Sequence, residues 1–150
     1  MKRSSIVKGV DQKKLDREHQ LSRRLLYGDG MAKNTKRAIQ LLEKLVVQEH
    51  ALSQFSLGWC FDKGIGVDQN FTRAAELYQQ AVNQGNVGAQ INLGHLYADG
   101  NGVIKDIQKA ITLYTSAHNL GLPEAAVALG NCFMYGTGVS KDAKHAFMLY

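Results

Sequence analysis

The chain repeats itself with a constant period of 36 residues. The clearest copy is LGHLYADGNGVIKDIQKAITLY at residues 93–114. Related copies begin at Leu57 and Leu129, and a degenerate copy begins at Leu21. A fixed period of roughly 20–50 residues is the signature of a repeat protein, in which each unit buries its apolar face only by stacking on its neighbours. The period therefore predicts a solenoid of about four repeats.

Each repeat has the pattern of two helices joined by a turn. In the third copy, apolar residues at Ala89, Leu93 and Leu96 recur at helical spacing and predict a helix over residues 87–99. Gly100 follows, and glycine often ends helices because it adopts the left-handed conformation without steric cost. Matching glycines end the other first helices, at Gly28, Gly64 and Gly136.

The second helix of each repeat begins after a good N-cap residue. Asp and Asn side chains accept hydrogen bonds from the free backbone N–H groups of a helix's first turn. An alanine follows the cap four residues later in every copy, which lets the two helices approach closely. The expected fold is all-α, an αα-superhelix of about four helix-turn-helix repeats. The predicted caps are Asn34, Asn70, Asp106 and Asp142.

A second glycine, two residues after the first, gives each turn a G-x-G pair. The dinucleotide fingerprint needs a third glycine three residues further on, and it follows a strand. In this chain a helix precedes the pair, so the glycines predict a tight turn and no nucleotide site. The place of the third glycine is held by Lys33, Gln69, Lys105 and Lys141.

The two ends of the array differ from its middle. In the first copy Arg17 and Arg24 replace small and apolar residues of the other copies, as suits a polar capping repeat. The chain stops at Tyr150, before the second helix of the fourth repeat is complete, so we expect further repeats or another copy of the molecule to contact this end. The predicted organisation is a basic N-terminal segment at residues 1–14, a degenerate capping repeat at 15–50, full repeats at 51–86 and 87–122, and a truncated repeat at 123–150.

The positive charge of the chain is concentrated at its N-terminal end. Residues 1–37 hold eleven Lys and Arg against four acidic residues, in a chain of net charge +5. This stretch suits a solvated first helix, and no aromatic residues interleave it as single-strand binding requires. We therefore expect no nucleic acid as a partner. Docking of the basic helix on nucleic acid or on an anionic membrane is the alternative.

No segment of the sequence predicts secretion or membrane insertion. Residues 1–14 are basic but lack the apolar run of a signal peptide, and no stretch approaches the roughly 20 apolar residues of a membrane span. The expected location is the cytoplasm, although non-classical export or delivery as an effector leaves no mark in a sequence.

Residues that carry catalysis or bind metals do not converge in the sequence. Cys60 and Cys132 stand two repeats apart, on the order of 20 Å, so we expect buried free thiols that fill apolar space. The five histidines lie in different helices or turns without metal-ligand spacing. Cys60 with His95 is the only conceivable nucleophile and base, and the two face opposite ways. We expect no enzyme, and no catalytic, cofactor-binding or metal site.

Residues 89–114 follow the pattern A-x-x-x-L-G-x-x-Y-x-x-G-x-G-V-x-x-D-x-x-K-A-x-x-x-Y almost letter for letter. This pattern resembles the Sel-1-like repeat family, a group of TPR-like αα-superhelices, and the 36-residue period fits that family better than the 34 of ordinary TPR. The resemblance implies an adaptor or scaffold that binds other proteins.

A cysteine-rich bacterial branch of that family carries a disulfide in each repeat, and penicillin-binding or β-lactamase activity has been ascribed to it. This chain has Ala81 and Ala117 where the cysteines of the second helices would stand in that branch. This departure removes the reason to carry the enzymatic activity over. A hydrolase resembling the cysteine-rich branch is kept as the alternative to a non-enzymatic scaffold.

We expect a partner on the face of each first helix that lies opposite its core residues. A step of about 100° per residue puts Ile91 and His95 on that face. In a superhelix of this kind the first helices usually line the concave side, so equivalent residues of the four repeats would form one strip. This binding strip consists of His19, Arg23, Phe55, Trp59, Asp62, Ile91, His95, Val127, Asn131 and Met134.

Phe55 and Trp59 are the expected anchor of the binding strip. They lie one helical turn apart, and aromatic residues are over-represented in binding hot spots. We expect Trp59 to be at least partly exposed. For Ile91 and Val127 the alternative is packing between repeats, since each first helix has neighbours on both sides. The sequence thus predicts a groove that holds a peptide or a helix of another protein.

Overall fold

A computed structural model describes residues 11–149, which form eight α-helices and no strand. The helices are α1 (Gln12–Tyr27), α2 (Thr35–Val47), α3 (Ala51–Lys63), α4 (Phe71–Asn83), α5 (Val87–Asp99), α6 (Ile107–Asn119), α7 (Pro123–Tyr135) and α8 (Ala143–Leu149). Odd-numbered helices are the first of each repeat and even-numbered helices the second. The predicted all-α fold of helix-turn-helix repeats is confirmed. Over this described range, no helix has both the length and the apolar character needed to cross a bilayer.

Packing in the array runs from each helix to the next. Among residues 11–149, every pair of helices with extensive backbone contact is consecutive along the chain, from α1 with α2 to α7 with α8. The core is a row of three apolar clusters, which include Leu42, Leu93 and Ala117 respectively. Such an array draws its stability from each repeat and from the interfaces between neighbouring repeats.

The turn within each repeat uses the residues that its sequence pattern predicts. Gly100 has a φ of 78°, and its N–H donates to the carbonyl of Leu96 at 2.9 Å, which ends α5. Gly102 has a φ of 68° and lies against the backbone of Phe71 and Thr72, where a side chain would clash. Each second helix has the predicted N-cap, whose side chain accepts a hydrogen bond from the N–H three residues on: Asn34, Asn70, Asp106 and Asp142.

A glycine inside the first helix lets a tyrosine of the second helix pack against its backbone. A methyl group on Gly94 would lie 2.5 Å from Cε1 of Tyr114, and one on Gly58 would lie 2.9 Å from the ring of Tyr78. Both tyrosines are buried. Glycine costs about 1 kcal/mol of helix propensity at such a position, and close packing of the two helices offsets that cost.

The first repeat has different residues at these two positions. Its equivalents of Gly94 and Tyr114 are Ser22 and Leu42, both fully buried. Serine is larger than glycine, and leucine is smaller than tyrosine. Its hydroxyl donates a hydrogen bond to the carbonyl of His19 at 2.6 Å. The two positions therefore compensate each other in size.

The described residues begin at Asp11, so most of the predicted basic segment 1–14 lies outside them. The α1 helix starts at Gln12, within that segment, and Asp11 caps it by accepting a hydrogen bond from the N–H of Lys13 at 3.0 Å. Arg17 and Arg24 are exposed. Their exposure agrees with a polar face on the first repeat.

Glu49 holds a backbone conformation that other repeats give to glycine. Its φ is 57°, and among residues 11–149 it is the only residue other than glycine with a positive φ. The same place is Gly85 in the second repeat and Gly121 in the third. Left-handed backbone costs such a residue about 1–2 kcal/mol, so the turn between α2 and α3 is strained.

Replacing Gly94 with alanine is expected to lower the free energy of unfolding by about 1–2 kcal/mol. Overpacking costs about 1–3 kcal/mol, which outweighs a gain of about 1 kcal/mol in helix propensity. Urea denaturation followed by circular dichroism measures the change. Gly88→Ala is the matched control, because a methyl group there meets the Phe55 ring at an ordinary 3.4 Å. A Gly94→Ala variant as stable as Gly88→Ala would contradict the packing argument.

Replacing Glu49 with glycine is expected to raise the free energy of unfolding by about 0.5–1 kcal/mol. Relief of the left-handed strain, about 1–2 kcal/mol, exceeds the conformational entropy cost of a new glycine, about 0.5–1 kcal/mol. The melting temperature measures the gain. Glu49→Ala is the control, since alanine keeps its Cβ atom and therefore the strain. Equal shifts in the two variants would show that the strain is not the cause.

Candidate functional site

The binding strip consists of three rows of equivalent positions, and its middle row reaches the surface in every repeat. The middle row is Arg23, Trp59, His95 and Asn131, whose side chains are exposed or half-exposed. Each of these residues comes from a different first helix, from α1 to α7. The row therefore crosses all four repeats.

The two outer rows of the strip are largely covered. His19 and Ile91 are only 6% exposed, and Asp62 is 7% exposed. Ile91 belongs to the apolar cluster that also contains Ala128 of α7. The strip is therefore not exposed at these three residues, because neighbouring helices pack over the flanks of each first helix. For Ile91 this agrees with the alternative of packing between repeats. The remaining members are the half-buried Phe55 and Met134 and the exposed Val127.

Two members of the strip bind the hydroxyl groups of the buried tyrosines. The Tyr78 hydroxyl donates to Oδ2 of Asp62 at 3.2 Å, and the Tyr114 hydroxyl lies 2.9 Å from Nδ1 of His95. Burial raises the pKa of both tyrosines well above their usual value, and for Tyr78 the charge of Asp62 raises the pKa further. Asp62 and His95 thus satisfy polar atoms that would otherwise be buried without a partner.

A pocket of about 350 Å³ lies between α1 and α3, the first helices of the first two repeats. Four members of the binding strip line this α1–α3 pocket: His19, Arg23, Phe55 and Trp59. Four further residues complete its lining: Leu26, Tyr27, Leu52 and Ser56. The structure therefore brings four of the five strip residues of the first two repeats together at one concave site.

Aromatic rings make up the apolar part of the α1–α3 pocket. Tyr27 is 57% exposed, and its ring centroid lies 6.2 Å from that of Trp59. Phe55 packs on the other side against Tyr78 of α4, at 6.0 Å between ring centroids. Leu52 adds an aliphatic side chain that is 46% exposed. Large side chains in this half-covered state bury much apolar area when a partner closes over them.

The polar part of the pocket is the pair of His19 and Ser56. Nε2 of His19 lies 2.9 Å from Oγ of Ser56. Burial, with His50 and the positive charge of Arg23 nearby, lowers the pKa of His19 to about 4. At neutral pH the pocket therefore presents an uncharged imidazole beside the exposed guanidinium of Arg23.

His50 links the first two repeats next to His19, with 5.5 Å between the two ring centroids. Its Nε2 lies 3.0 Å from Oδ1 of Asp16, and its Nδ1 lies 2.7 Å from Oγ of Ser53. The hydrogen bond with His50 lowers the pKa of Asp16. The order Asp–His–Ser resembles a catalytic triad, but Ser53 is fully buried, so no substrate reaches its hydroxyl. These hydrogen bonds are structural.

Other reactive side chains are also placed unfavourably for catalysis. Ser56 lies in the middle of α3, where backbone N–H groups bond within the helix and form no oxyanion hole. Cys60 is fully buried, which raises the pKa of its thiol to about 11, and the half-buried Cys132 has a raised pKa for the same reason. Both cysteines are free thiols, as predicted. Residues 11–149 contain no group of three or more His, Cys, Asp or Glu that could hold a metal ion.

Tyr27, Leu52 and Ser56 line the pocket but are not among the site residues predicted from sequence. Helical spacing was the available signal for all three. Tyr27 follows Arg23 by four residues on α1, and Ser56 follows Leu52 by four residues on α3. Side chains at this spacing share one face of a helix, so the neighbours of the predicted anchor could have been included.

The fold places this protein in the class of all-α repeat superhelices. The Sel1 repeat profile matches residues 18–45, 51–86, 87–122 and 123–150. The chain belongs to the Sel1 repeat family, as its motifs predict. Sel1 repeat proteins are generally protein-interaction scaffolds, and typically not enzymes. None of the curated proteins compared with the chain matches it.

Several solved structures are similar to this chain. A Sel1 repeat protein from Oxalobacter formigenes is 30% identical, with a TM-score of 0.79 over 93% of this chain and 57% of that one. A protective antigen with an SLR fold from uropathogenic Escherichia coli is 25% identical, with a TM-score of 0.82 over 94% of this chain and 32% of that one. Cysteine rich protein B of Helicobacter pylori, at 21% identity and a TM-score of 0.60 over 78% of this chain and 96% of that one, shares the fold. The chain thus spans 57% and 32% of the first two proteins.

The stability of the fold is expected to fall as the pH drops from about 6.5 to about 4. The folded protein keeps His19 neutral to about pH 4, whereas an ordinary histidine takes up a proton near 6.5. The unfolded chain therefore binds the proton first, at a cost to folding of up to about 3 kcal/mol. Urea denaturation at a series of pH values measures this slope.

His19→Gln is the comparison variant for the pH series, because glutamine does not titrate. Its unfolding free energy should depend less on pH between about 6.5 and 4 than that of the wild type. The pKa of His95, which burial lowers, leaves a remaining dependence in the same direction. The lowered pKa of Asp16 adds its own dependence only below about pH 4. Parallel profiles for the two proteins would show that His19 titrates normally in the fold.

Proposed function

We propose that this protein is a non-enzymatic interaction module that holds a peptide or a helix of a partner protein on the face of its first helices. The α1–α3 pocket is the observation that carries this proposal, because it combines concave shape with half-exposed Phe55 and Trp59. Hot spots of protein interfaces favour Trp, Tyr and Arg in such pockets. All three residue types line this one.

The proposed contact surface extends from the pocket along the middle row of the binding strip. His95 and Asn131 follow Trp59 there and are exposed. Asp62 and Ile91 are buried and are left out. A partner bound along the middle row would contact the concave side of the array, beginning at the first repeat.

We propose that the first repeat serves both as the cap of the array and as one wall of the binding site. Its exposed Arg24 is tied to the following turn, where Nε donates to the carbonyl of Asp29 at 3.1 Å. Its other face supplies His19 and Arg23 to the pocket. A single repeat thus carries a solvated outer surface and a binding surface.

Two features disfavour the alternative of a hydrolase resembling the cysteine-rich branch. Ala81 and Ala117, which stand where that branch has cysteines, are fully buried in the apolar core. Near the pocket, Ser53 and Cys60 are fully buried, so a substrate does not reach their hydroxyl and thiol groups. Ser56 lies in the middle of α3, where no backbone N–H is free to form an oxyanion hole. A scaffold explains the pocket without requiring chemistry.

Trp59→Ala is expected to weaken binding of a partner by at least about 30-fold, the effect of removing an interface hot spot. A pull-down with the full chain identifies the partner, and calorimetry with the purified partner then measures the affinity. Trp59 also contacts two core clusters, so Tyr27→Ala is a second variant that removes an exposed pocket side chain. Melting curves verify that both variants fold.

Ile104→Ala is the matched control for these variants, because Ile104 is 91% exposed in a turn away from the pocket. Loss of an equally accessible apolar side chain there should leave the affinity within about twofold of the wild type. If a partner binds the wild type, Trp59→Ala and Tyr27→Ala equally well, the pocket is not its binding site and the proposal fails.

A further inference from the structure

Arg23 is a cation without a partner at the edge of the α1–α3 pocket. It is exposed, and no ion pair or hydrogen bond among residues 11–149 involves its guanidinium. The other arginines of α1 differ. Arg24 donates to the carbonyl groups of the next turn, and Arg17 donates to the carbonyl of Lys13 at 3.1 Å. Arg23 is thus the arginine of α1 that is available to a ligand.

The position of Arg23 explains why it has no internal partner. The same place in the third repeat is His95, whose ring lies 2.9 Å from the hydroxyl of Tyr114. The first repeat has Leu42 in place of that tyrosine, so no hydroxyl reaches the residue at position 23. The contact that this position makes in the third repeat is therefore absent from the first, whereas in the second repeat the tyrosine hydroxyl donates to Asp62 instead.

The surroundings of Arg23 are favourable to an anion. No acidic residue lines the α1–α3 pocket. The acidic residues of α1 are engaged elsewhere, since Asp16 contacts His50 at 3.0 Å and Glu18 contacts Lys44 at 3.2 Å. Arg23 also lines a second, adjoining groove of about 280 Å³ with Tyr27, Arg24 and Asp29. Among residues 11–149 no ion pair joins Asp29 to Arg23, so the Arg23 side chain borders both grooves with its charge uncompensated.

The apolar wall lies directly beside this charge. Tyr27 lines both grooves, and its ring meets that of Trp59. The polar groups between wall and charge, His19 and Ser56, are uncharged at neutral pH and bond to each other. A ligand that fits must therefore offer a large apolar group and a negative group close together.

We propose that the α1–α3 pocket binds an acidic segment of a partner protein, in which a large apolar side chain enters the aromatic wall and an Asp or Glu pairs with Arg23. On a helical segment the two side chains would be about three or four residues apart. A guanidinium binds a carboxylate through two parallel hydrogen bonds, which adds geometric specificity to the charge attraction. This inference rests on the proposed function and names the class of partner.

The test uses the full chain and a phage-displayed library of short random peptides. Peptides selected on the wild type should combine a large apolar residue with an Asp or Glu about three or four residues away. Arg23→Gln should weaken binding of a selected peptide about tenfold in fluorescence anisotropy, as expected for loss of a charge-assisted hydrogen bond. The same loss is expected when the acidic residue of the peptide is replaced by its amide.

Two further variants make the result specific to Arg23. Selection on Arg23→Glu should enrich Lys or Arg at the position that was acidic, because the charge of the site is reversed. Arg37→Gln is the matched control, since Arg37 is an exposed arginine on α2 outside the pocket. It changes the net charge equally, and the affinity should stay within about twofold of the wild type.

The outcomes separate this inference from the proposed function. Peptides that depend on Trp59 but bind Arg23→Gln as well as the wild type overturn the acidic partner and leave the binding module intact. Peptides that depend on neither residue overturn both. Anionic vesicles and a single-stranded oligonucleotide are tested in parallel. Binding of either through Arg23, with no peptide selected, overturns the inference in favour of a membrane or nucleic acid.

Discussion

Contact between a helix backbone and an aromatic ring determines how the two helices of each inner repeat come together. Gly58 faces Tyr78, and Gly94 faces Tyr114, with no space for a Cβ atom between them. The ring lies on the backbone of the first helix, so the distance between the helices is set by the thickness of the ring. The buried hydroxyl then requires a partner, and Asp62 or His95 provides it on the first helix.

This requirement decides which residues on the first helices remain open to other molecules. In the second and third repeats, part of the expected binding strip serves the tyrosine hydroxyl. In the first repeat, Ser22 and Leu42 replace the glycine and the tyrosine. The equivalent residues on its first helix therefore have no tyrosine hydroxyl to bond. A substitution in the interior therefore leaves Arg23 on the surface without an internal partner. The first repeat therefore differs from the second and third at the candidate site because the interior of the first repeat is packed with different residues.

The helices and their ends could be predicted from sequence because their causes are local. An Asp or Asn cap and a left-handed glycine act within one turn of the helix, as at Asp106 and Gly100. The exposure of the binding strip could not be predicted in the same way, because burial of Ile91 depends on α7, the first helix of the next repeat. The bond between Asp16 of α1 and His50, which directly precedes α3, joins residues far apart in the sequence and has no periodic signal. The unusual backbone of Glu49 departs from the glycine pattern and is visible only in the structure.

The α1–α3 pocket is built by two repeats, and this has a thermodynamic consequence for the array. In a one-dimensional chain of units, each unit is stabilised by its interfaces with neighbouring units and can open locally when that coupling is weak. A molecule held by both α1 and α3 binds only when the two units are docked, so its free energy of binding is added to their mutual coupling. Occupancy of the pocket would therefore suppress separation of these two units and make their melting more cooperative.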